Sequence, residues 1–289
     1  MNKFQQLINL IIDNKKNNFL LSAHVNPDGD SIGSLLGLKY ILEPYAQEID
    51  IILDDPAPEY LNFLGDLGDI HLYENSSSKL EGQDYDFYFI LDCGKLDRIG
   101  KVQQLLSGDG KIINIDHHSD NDDYGDYNYV DSTVSATGEL IYNLAVELGF
   151  NFKFEFGMAI ATAIITDTGN FKYSNTSPET HRIIADMLEL GVDSQEIIKN
   201  VYETESYSSM KLKGEVLSNL QIVPENQIAW ASVKQSALDS LGADWEDTEG
   251  LVNYPRSLKG IEVGLLFKEV EQDKTRLSLR SNDYFQVNE

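Results

Sequence analysis

Four short apolar runs, at residues 18–23, 49–53, 86–91 and 111–115, constrain this chain most, because each leads straight into an aspartate or histidine. Apolar runs of this length bounded by polar residues suit strands buried on both faces, as in a parallel sheet. Between and after them lie helical patterns at 31–42, 135–148, 156–166 and 178–190. The alternation predicts an α/β fold: a mainly parallel sheet flanked by helices. Asp28, Asp92 and Asp116-His117-His118 each follow a predicted strand. That is the edge where open α/β sheets bind ligands, so three loops converge on one crevice.

At 289 residues and 42% hydrophobic content, the chain is long enough for one large or two ordinary domains. The reading is an N-terminal domain over 1–190, a helical connector over 191–220, and a smaller α/β domain over 221–289 with strands at 227–233, 261–268 and 275–280. Asn75-Ser76-Ser77-Ser78 and Gly82-Gln83-Asp84 read as ordinary loop. Phe4, Leu7, Ile8, Ile11 and Ile12 make the N-terminus an amphipathic surface helix and not a signal peptide. No apolar run approaches the ~20 residues of a membrane span. The formal net charge of −26 argues against long duplex nucleic acid as a partner, since that binding needs clustered Lys and Arg. Any anionic ligand must be held locally. The single cysteine, Cys93, rules out an intramolecular disulfide and fits a reducing compartment, the cytoplasm by default. Tyr60, Tyr85, Tyr129, Tyr173 and Tyr254 could stack on bases, but most tyrosines serve half-buried packing, and none is assigned.

The chemistry concentrates in four segments. In His24-Val25-Asn26-Pro27-Asp28-Gly29-Asp30-Ser31, a turn set by Pro27 and Gly29 lets His24, Asp28 and Asp30 share one side. The plain alternative is an Asx turn with Asp30 or Ser31 capping the next helix. Asp92 ends a hydrophobic strand, where an acid is ordinarily a turn residue. Two adjacent histidines after Asp116 are harder to explain without a metal, for which neutral imidazole is a common ligand. Asp167 closes an apolar helix, the wrong charge for the negative end of the helix dipole, and a nearby cation would hold it there. Asp28, Asp30, Asp92 and Asp167 together carry four negative charges, which two divalent ions would cancel, with His24 and His117 as neutral ligands. A carboxylate-rich set without thiolate favours Mn2+, Mg2+ or Co2+.

In order and spacing, His24-x-x-Pro27-Asp28-Gly29-Asp30-Ser31-x-Gly33, Asp92, Asp116-His117-His118 and Asp167-Thr168-Gly169 resemble the four motifs of the DHH phosphoesterase superfamily. The likeness is nearest to its bifunctional oligoribonuclease and phosphoadenosine phosphate (pAp) phosphatase branch. It implies a DHH domain followed by a DHHA1-like domain, with the active site in the cleft between them. It also implies two divalent cations, Mn2+ foremost: one on His24 and Asp28, the other on Asp30, His117 and Asp167, with Asp92 bridging. His118 would touch the scissile phosphate or leaving oxygen, with Asp116 behind an imidazole. Arg280 matches a family arginine that grips the terminal phosphate. Ser132 and Ser135 begin a helix whose amides could help hold a phosphate, or they simply cap it. The chain stops at Gln286-Val287-Asn288-Glu289, before the glycine-rich loop expected of the C-terminal domain, so truncation is expected to weaken substrate binding. The implied substrates are short single-stranded oligoribonucleotides and pAp, without a membrane partner, and a homodimer is left open. Linear dinucleotides or short single-stranded DNA are rival substrates, and a nucleotide sensor without turnover is a rival of another class.

Overall fold

Six strands, β1 (Asn17–Ala23), β2 (Ala46–Leu53), β3 (Ile70–Leu72), β4 (Phe87–Leu91), β5 (Lys111–Asp116) and β6 (Tyr127–Val130), form one sheet in the order β3-β2-β1-β4-β5-β6. Every neighbouring pair is parallel. The computed structural model describes residues 7–9, 11–12, 17–80, 83–106, 109–248, 250–271, 274–282 and 285. The chain divides into two units, Met1–Glu203 and Thr204–Glu289, and the division falls inside the stretch 191–220.

Strand periodicity builds two cores. Phe19, Leu21, Phe89 and Ile113 face one side, where they pack with Ile32 and Leu35 of α1 (Gly29–Leu42). Leu140 and Ile141 of α3 (Thr137–Glu147) and Ile160 and Ile164 of α4 (Phe154–Asp167) complete that layer. The alternate residues Leu20, Ile52, Tyr88 and Ile90 face the other side with Ile99, Val102 and Leu105 of the 3-10 segment Leu96–Leu105. Burial on both faces is why the strands read as unbroken apolar runs. α5 (Pro178–Glu189) and α6 (Ser194–Ile198) follow.

α1 and α4 approach closely because Gly33 has no side chain: a Cβ there would lie 2.3 Å from the Ala159 carbonyl oxygen, an atom that cannot swing aside. Gly33→Ala is therefore expected to destabilise the N-terminal unit by about 1–3 kcal/mol, read as a lower urea midpoint at unchanged slope. An unaltered midpoint would show that the two helices separate freely.

Several local expectations are corrected. Asn75–Ser78 are helical, within α2 (Tyr73–Leu80). Asn and Ser favour turns in isolation, but the crossover from β3 to the parallel sheet sets the conformation here. Gly82 and Phe4 lie outside the described residues. Near the N-terminus, Leu7, Ile8 and Ile11 belong to the core, while Ile12 is exposed. β3 and β6 were not legible, being three- and four-residue edge strands without a continuous apolar run. The helical connector expected over 191–220 breaks: α6 and a π-turn at Lys199–Glu203 are followed by α7 (Tyr207–Ser218), which restarts with Ser206 accepting from the Ser209 amide.

The second unit has a mixed four-stranded sheet, β10-β9-β8-β7, from β7 (Gln221–Val223), β8 (Ile228–Lys234), β9 (Val263–Glu271) and β10 (Lys274–Ser281). β8 and β9 run parallel and the other pairs antiparallel. Leu212 and Val216 of α7 and Leu238 of α8 (Gln235–Leu241) pack on Ala231, Val233 and Leu266. No helix among the described residues is long and apolar enough to cross a membrane.

Candidate metal centre

Strand register assembles the first part of the site. Ala23 pairs with Leu91, and Leu91 with Ile115, so the next residues, His24, Asp92 and Asp116, stand side by side at the carboxyl ends of β1, β4 and β5. β1 and β4 are where the strand order reverses, the position at which open α/β sheets leave a crevice. Asp92 leaves its strand with φ 51°, a left-handed turn that aspartate adopts more readily than bulkier residues. Its amide is held by the Ile115 carbonyl at 3.0 Å.

The loop after β1 turns at Asn26, with φ 53°. Asp28, and not Asp30 or Ser31, caps α1: its Oδ1 accepts from the amides of Asp30 at 3.0 Å and Ser31 at 3.1 Å. Gly29 serves packing rather than the turn, since a Cβ would meet Thr166 at 2.4 Å. The carboxylate of Asp30 receives the Thr137 amide at 2.7 Å and the Gly138 amide at 2.9 Å, so these first amides of α3 are taken by Asp30. Ala136 is the N-cap residue and makes no side-chain cap bond, so neither Ser132 nor Ser135 caps this helix. The Ser135 hydroxyl is buried and donates to Glu139, whereas Ser132 is exposed in the preceding turn. Arg280 lies on β10 of the second unit, exposed, with its guanidinium donating to the Leu279 carbonyl.

Three groups of side chains bring one ligand atom each to within 4.8 Å of one another: His24, Asp28 and Asp92; Asp30, His117 and Asp167; and Asp92, His117 and His118. The His117 Nε2 stands 3.7 Å from Asp30 Oδ2, 3.6 Å from Asp92 Oδ1 and 3.7 Å from Asp167 Oδ2. These separations are too long for hydrogen bonds. They are near the edge, roughly 3–3.5 Å, of a coordination polyhedron with bonds of about 2.1 Å. His24 directs Nδ1 to the Val25 carbonyl at 2.7 Å and turns Nε2 toward Asp92 Oδ2 at 3.5 Å. A histidine that ligates a metal commonly fixes its other nitrogen in this way. Among the described residues no Lys or Arg forms an ion pair with Asp28, Asp30, Asp92 or Asp167. This oxygen and imidazole donor set fits hard divalent cations.

The electrostatics follow from that crowding. Burial first, then the charges of Asp92 and Asp167, push Asp30 well above the usual carboxylate range. Burial likewise raises Asp28, with Asp92 adding to it, and lifts Asp167 to about 7. Asp92 is buried too, but the imidazoles of His24, His117 and His118 outweigh desolvation, and it is held down. The hydrogen bond to Asp116 raises His118 to about 9 against the opposing effect of burial.

Side chains that the motif reading passed over connect these groups. Ser31 Oγ donates to Asp92 Oδ2 at 2.7 Å and lies 2.9 Å from His24 Nε2. Asn121 donates to Asp116 Oδ2 at 2.5 Å, while Asp116 Oδ1 receives the His117 amide at 2.8 Å and lies 2.7 Å from His118 Nδ1. Asn175 grips the Asp167 carbonyl at 3.1 Å and the Ser135 carbonyl at 3.0 Å. Ser31 stands inside a motif and was within reach of sequence reasoning. Asn121 and Asn175 carry no local signal, because their partners are brought to them only by the fold.

Residues 18–168 match the family described as DHH family, N-terminal domain. The chain is 31% identical over 262 residues to the bifunctional oligoribonuclease and PAP phosphatase NrnA of Thermus thermophilus, covering 90% of this chain and 75% of that protein. It is 29% identical over 266 residues to the protein of the same name from Bacillus subtilis, covering 91% and 80%. The crystal structure of an exopolyphosphatase-related protein from Bacteroides fragilis superposes with a TM-score of 0.92 at 28% identity, over 99% of this chain and 85% of that one.

Proposed function

Because the chain belongs to the DHH family of phosphoesterases and is thus a hydrolase, we propose that it uses divalent metal to hydrolyse short oligoribonucleotides to mononucleotides and pAp to AMP. The observation that carries this reading is the placement of Asp92, whose Oδ2 faces His24 at 3.5 Å while Oδ1 faces His117 at 3.6 Å. One carboxylate thereby serves two ligand groups. His24, Asp28 and Asp92 would hold one cation and Asp30, His117, Asp167 and Asp92 a second, Mn2+ in this reading, and such ions would supply Lewis-acid activation of water and charge stabilisation at the phosphoryl oxygens.

The chain's own residues do the rest. His118 is an imidazolium at neutral pH, and with Nδ1–H committed to Asp116 its Nε2–H is left to donate to the leaving oxygen. Asp116, clamped by Asn121 and the His117 amide, keeps that ring in place. In this reading Arg280 grips a terminal phosphate of the substrate, and Ser132, in the turn before α3, is a separate phosphate-binding candidate. The Ser135 carbonyl accepts from Asn175, which also donates to the Asp167 carbonyl, so Ser135 helps fix the position of Asp167.

A time course of mononucleotide release from labelled RNAs of two, three, five and twenty nucleotides, with added Mn2+ and with pAp in parallel, tests the reading. A surface with a net charge of −26 accumulates repulsion with every phosphate beyond those at the site. The rate is expected to fall by about tenfold or more from the dinucleotide to the twenty-nucleotide RNA. Equal cleavage of the two at physiological salt would remove the restriction to short substrates.

A further inference from the structure

The segment that follows Asp167 is strained and fastened in an unusual way. Gly169, Asn170 and Phe171 have φ of 55°, 59° and 62°, three left-handed residues in succession, of which Phe171 is a genuine outlier. Buried Thr168 holds this turn: its Oγ1 accepts the Phe171 amide at 3.1 Å, and its carbonyl accepts the amides of Lys172 at 2.9 Å and Tyr173 at 3.1 Å. Asn175 then returns to Asp167, donating to its carbonyl at 3.1 Å and its carboxylate at 3.3 Å. The loop begins and ends on a residue of the candidate metal centre.

What the loop displays is Tyr173. A Cβ on Gly169 would lie 2.4 Å from Cζ, 2.6 Å from Cε2 and 2.8 Å from Cε1 of that ring, with the hydroxyl farther away. The ring therefore rests face-on against the glycine, and any side chain at 169 would displace it. The residue is 44% exposed and its hydroxyl makes no hydrogen bond among the described residues, so one ring face packs on Gly169 and the other is left to solvent. Tyr202 flanks the same region, its hydroxyl donating to the Ile165 carbonyl at 3.0 Å and its phenol pushed up by burial, then by the proximity of Tyr173 and Asp167.

We infer that the open face of Tyr173, in the loop that begins and ends on Asp167, is the stacking platform for a nucleobase of the substrate whose phosphate lies at the candidate metal centre. The inference rests on the phosphoesterase reading above and deepens it: metal and carboxylates engage only phosphate, and the aromatic face adds a preference for nucleotides over other phosphate esters. Stacking on tyrosine tolerates every base, which suits a substrate class defined by length and not by sequence.

The test is calorimetric binding of AMP and of ribose 5-phosphate to the Mn2+-loaded protein, in the wild type, Tyr173→Phe, Tyr173→Ala and Tyr173→Leu. The wild type and Tyr173→Phe are expected to prefer AMP by about ten- to a hundredfold, the usual yield of one base–aromatic stack. Tyr173→Ala is expected to bind the two ligands alike, with ribose 5-phosphate affinity unchanged. Tyr173→Leu keeps bulk over Gly169 without a π-face and should lose the preference equally, which separates stacking from support of the loop. An undiminished AMP preference in the Ala and Leu variants, or none in the wild type, overturns the platform. Because this readout needs no turnover, a wild type that prefers AMP yet cleaves no dinucleotide would refute the phosphoesterase reading alone.

Discussion

Asp92→Asn is expected to lower hydrolysis of a dinucleotide at saturating Mn2+ by about a thousandfold or more, the largest effect of any single substitution in the N-terminal unit. The carboxylate is 2% exposed, and its two oxygens face different ligand groups, so an amide at this position removes an anionic donor from both at once. Several kcal/mol of charge stabilisation at a phosphoryl group corresponds to about three orders of magnitude, at roughly 1.4 kcal/mol per factor of ten. The substitution preserves shape but removes the anion that the imidazoles of His24, His117 and His118 stabilise, so the metal-free variant should melt somewhat lower than the wild type while keeping its fold. Activity within tenfold of wild type, in a variant with an unchanged circular dichroism spectrum, would exclude Asp92 as a shared ligand.

Removing divalent ions is expected to invert the ordinary pH dependence of stability between about pH 4 and 7. Asp28, Asp30 and Asp167 all have folded-state values above the ordinary carboxylate value of 3.8, Asp167 at about 7, through burial first and mutual repulsion second. In that window the unfolded chain has lost these protons while the folded chain retains them. Their contribution is thus present below the unfolded value and lost as pH rises through the folded one. Asp92 and Asp116 are shifted the other way, and their contribution disappears only at more acid pH. His118, raised to about 9, keeps its contribution below 6.5 and loses it above neutrality, which adds to the decline on the alkaline side. The chelated protein should therefore melt higher at pH 5 than at pH 8. Mn2+ should reverse the order, because it neutralises the carboxylates where they are ionised and competes with protons where they are not. At a thousandfold over its dissociation constant, metal would add about 4 kcal/mol at pH 8. Thermal melts at the two pH values, with chelator and with Mn2+, decide it, and an equal metal-induced shift at both would mean that these carboxylates are not its ligands.

Much of this was legible beforehand, for identifiable reasons. The runs ending at Ala23, Leu53, Leu91 and Ile115 correspond to β1, β2, β4 and β5, because strands buried on both faces must be apolar throughout. The helices ending at Leu42, Asp167 and Glu189 lay within two residues of their predicted bounds, since their apolar content is dense and their starts carry turn residues. The edge strands β3, β6 and β7 escaped because an edge strand is short and half solvated. α2 escaped because its Ser and Asn residues have no helical bias of their own.

The amino-acid order by itself determined which residues hold the chemistry: histidine and aspartate directly after apolar strands declare themselves through the conflict between charge and burial. Only the tertiary structure decided how they are grouped. The register of β1, β4 and β5 aligns His24, Asp92 and Asp116, and the contact of α1 with α3 and α4 joins Asp30 to Asp167, 137 positions apart in the chain. It also chose Asp28 over its neighbours as the cap, gave the first amides of α3 to Asp30, and laid Tyr173 on Gly169. Each of these is a relation between segments distant in sequence or a backbone conformation held by them, and such relations leave no mark in local composition because their energy arises only when the partners meet.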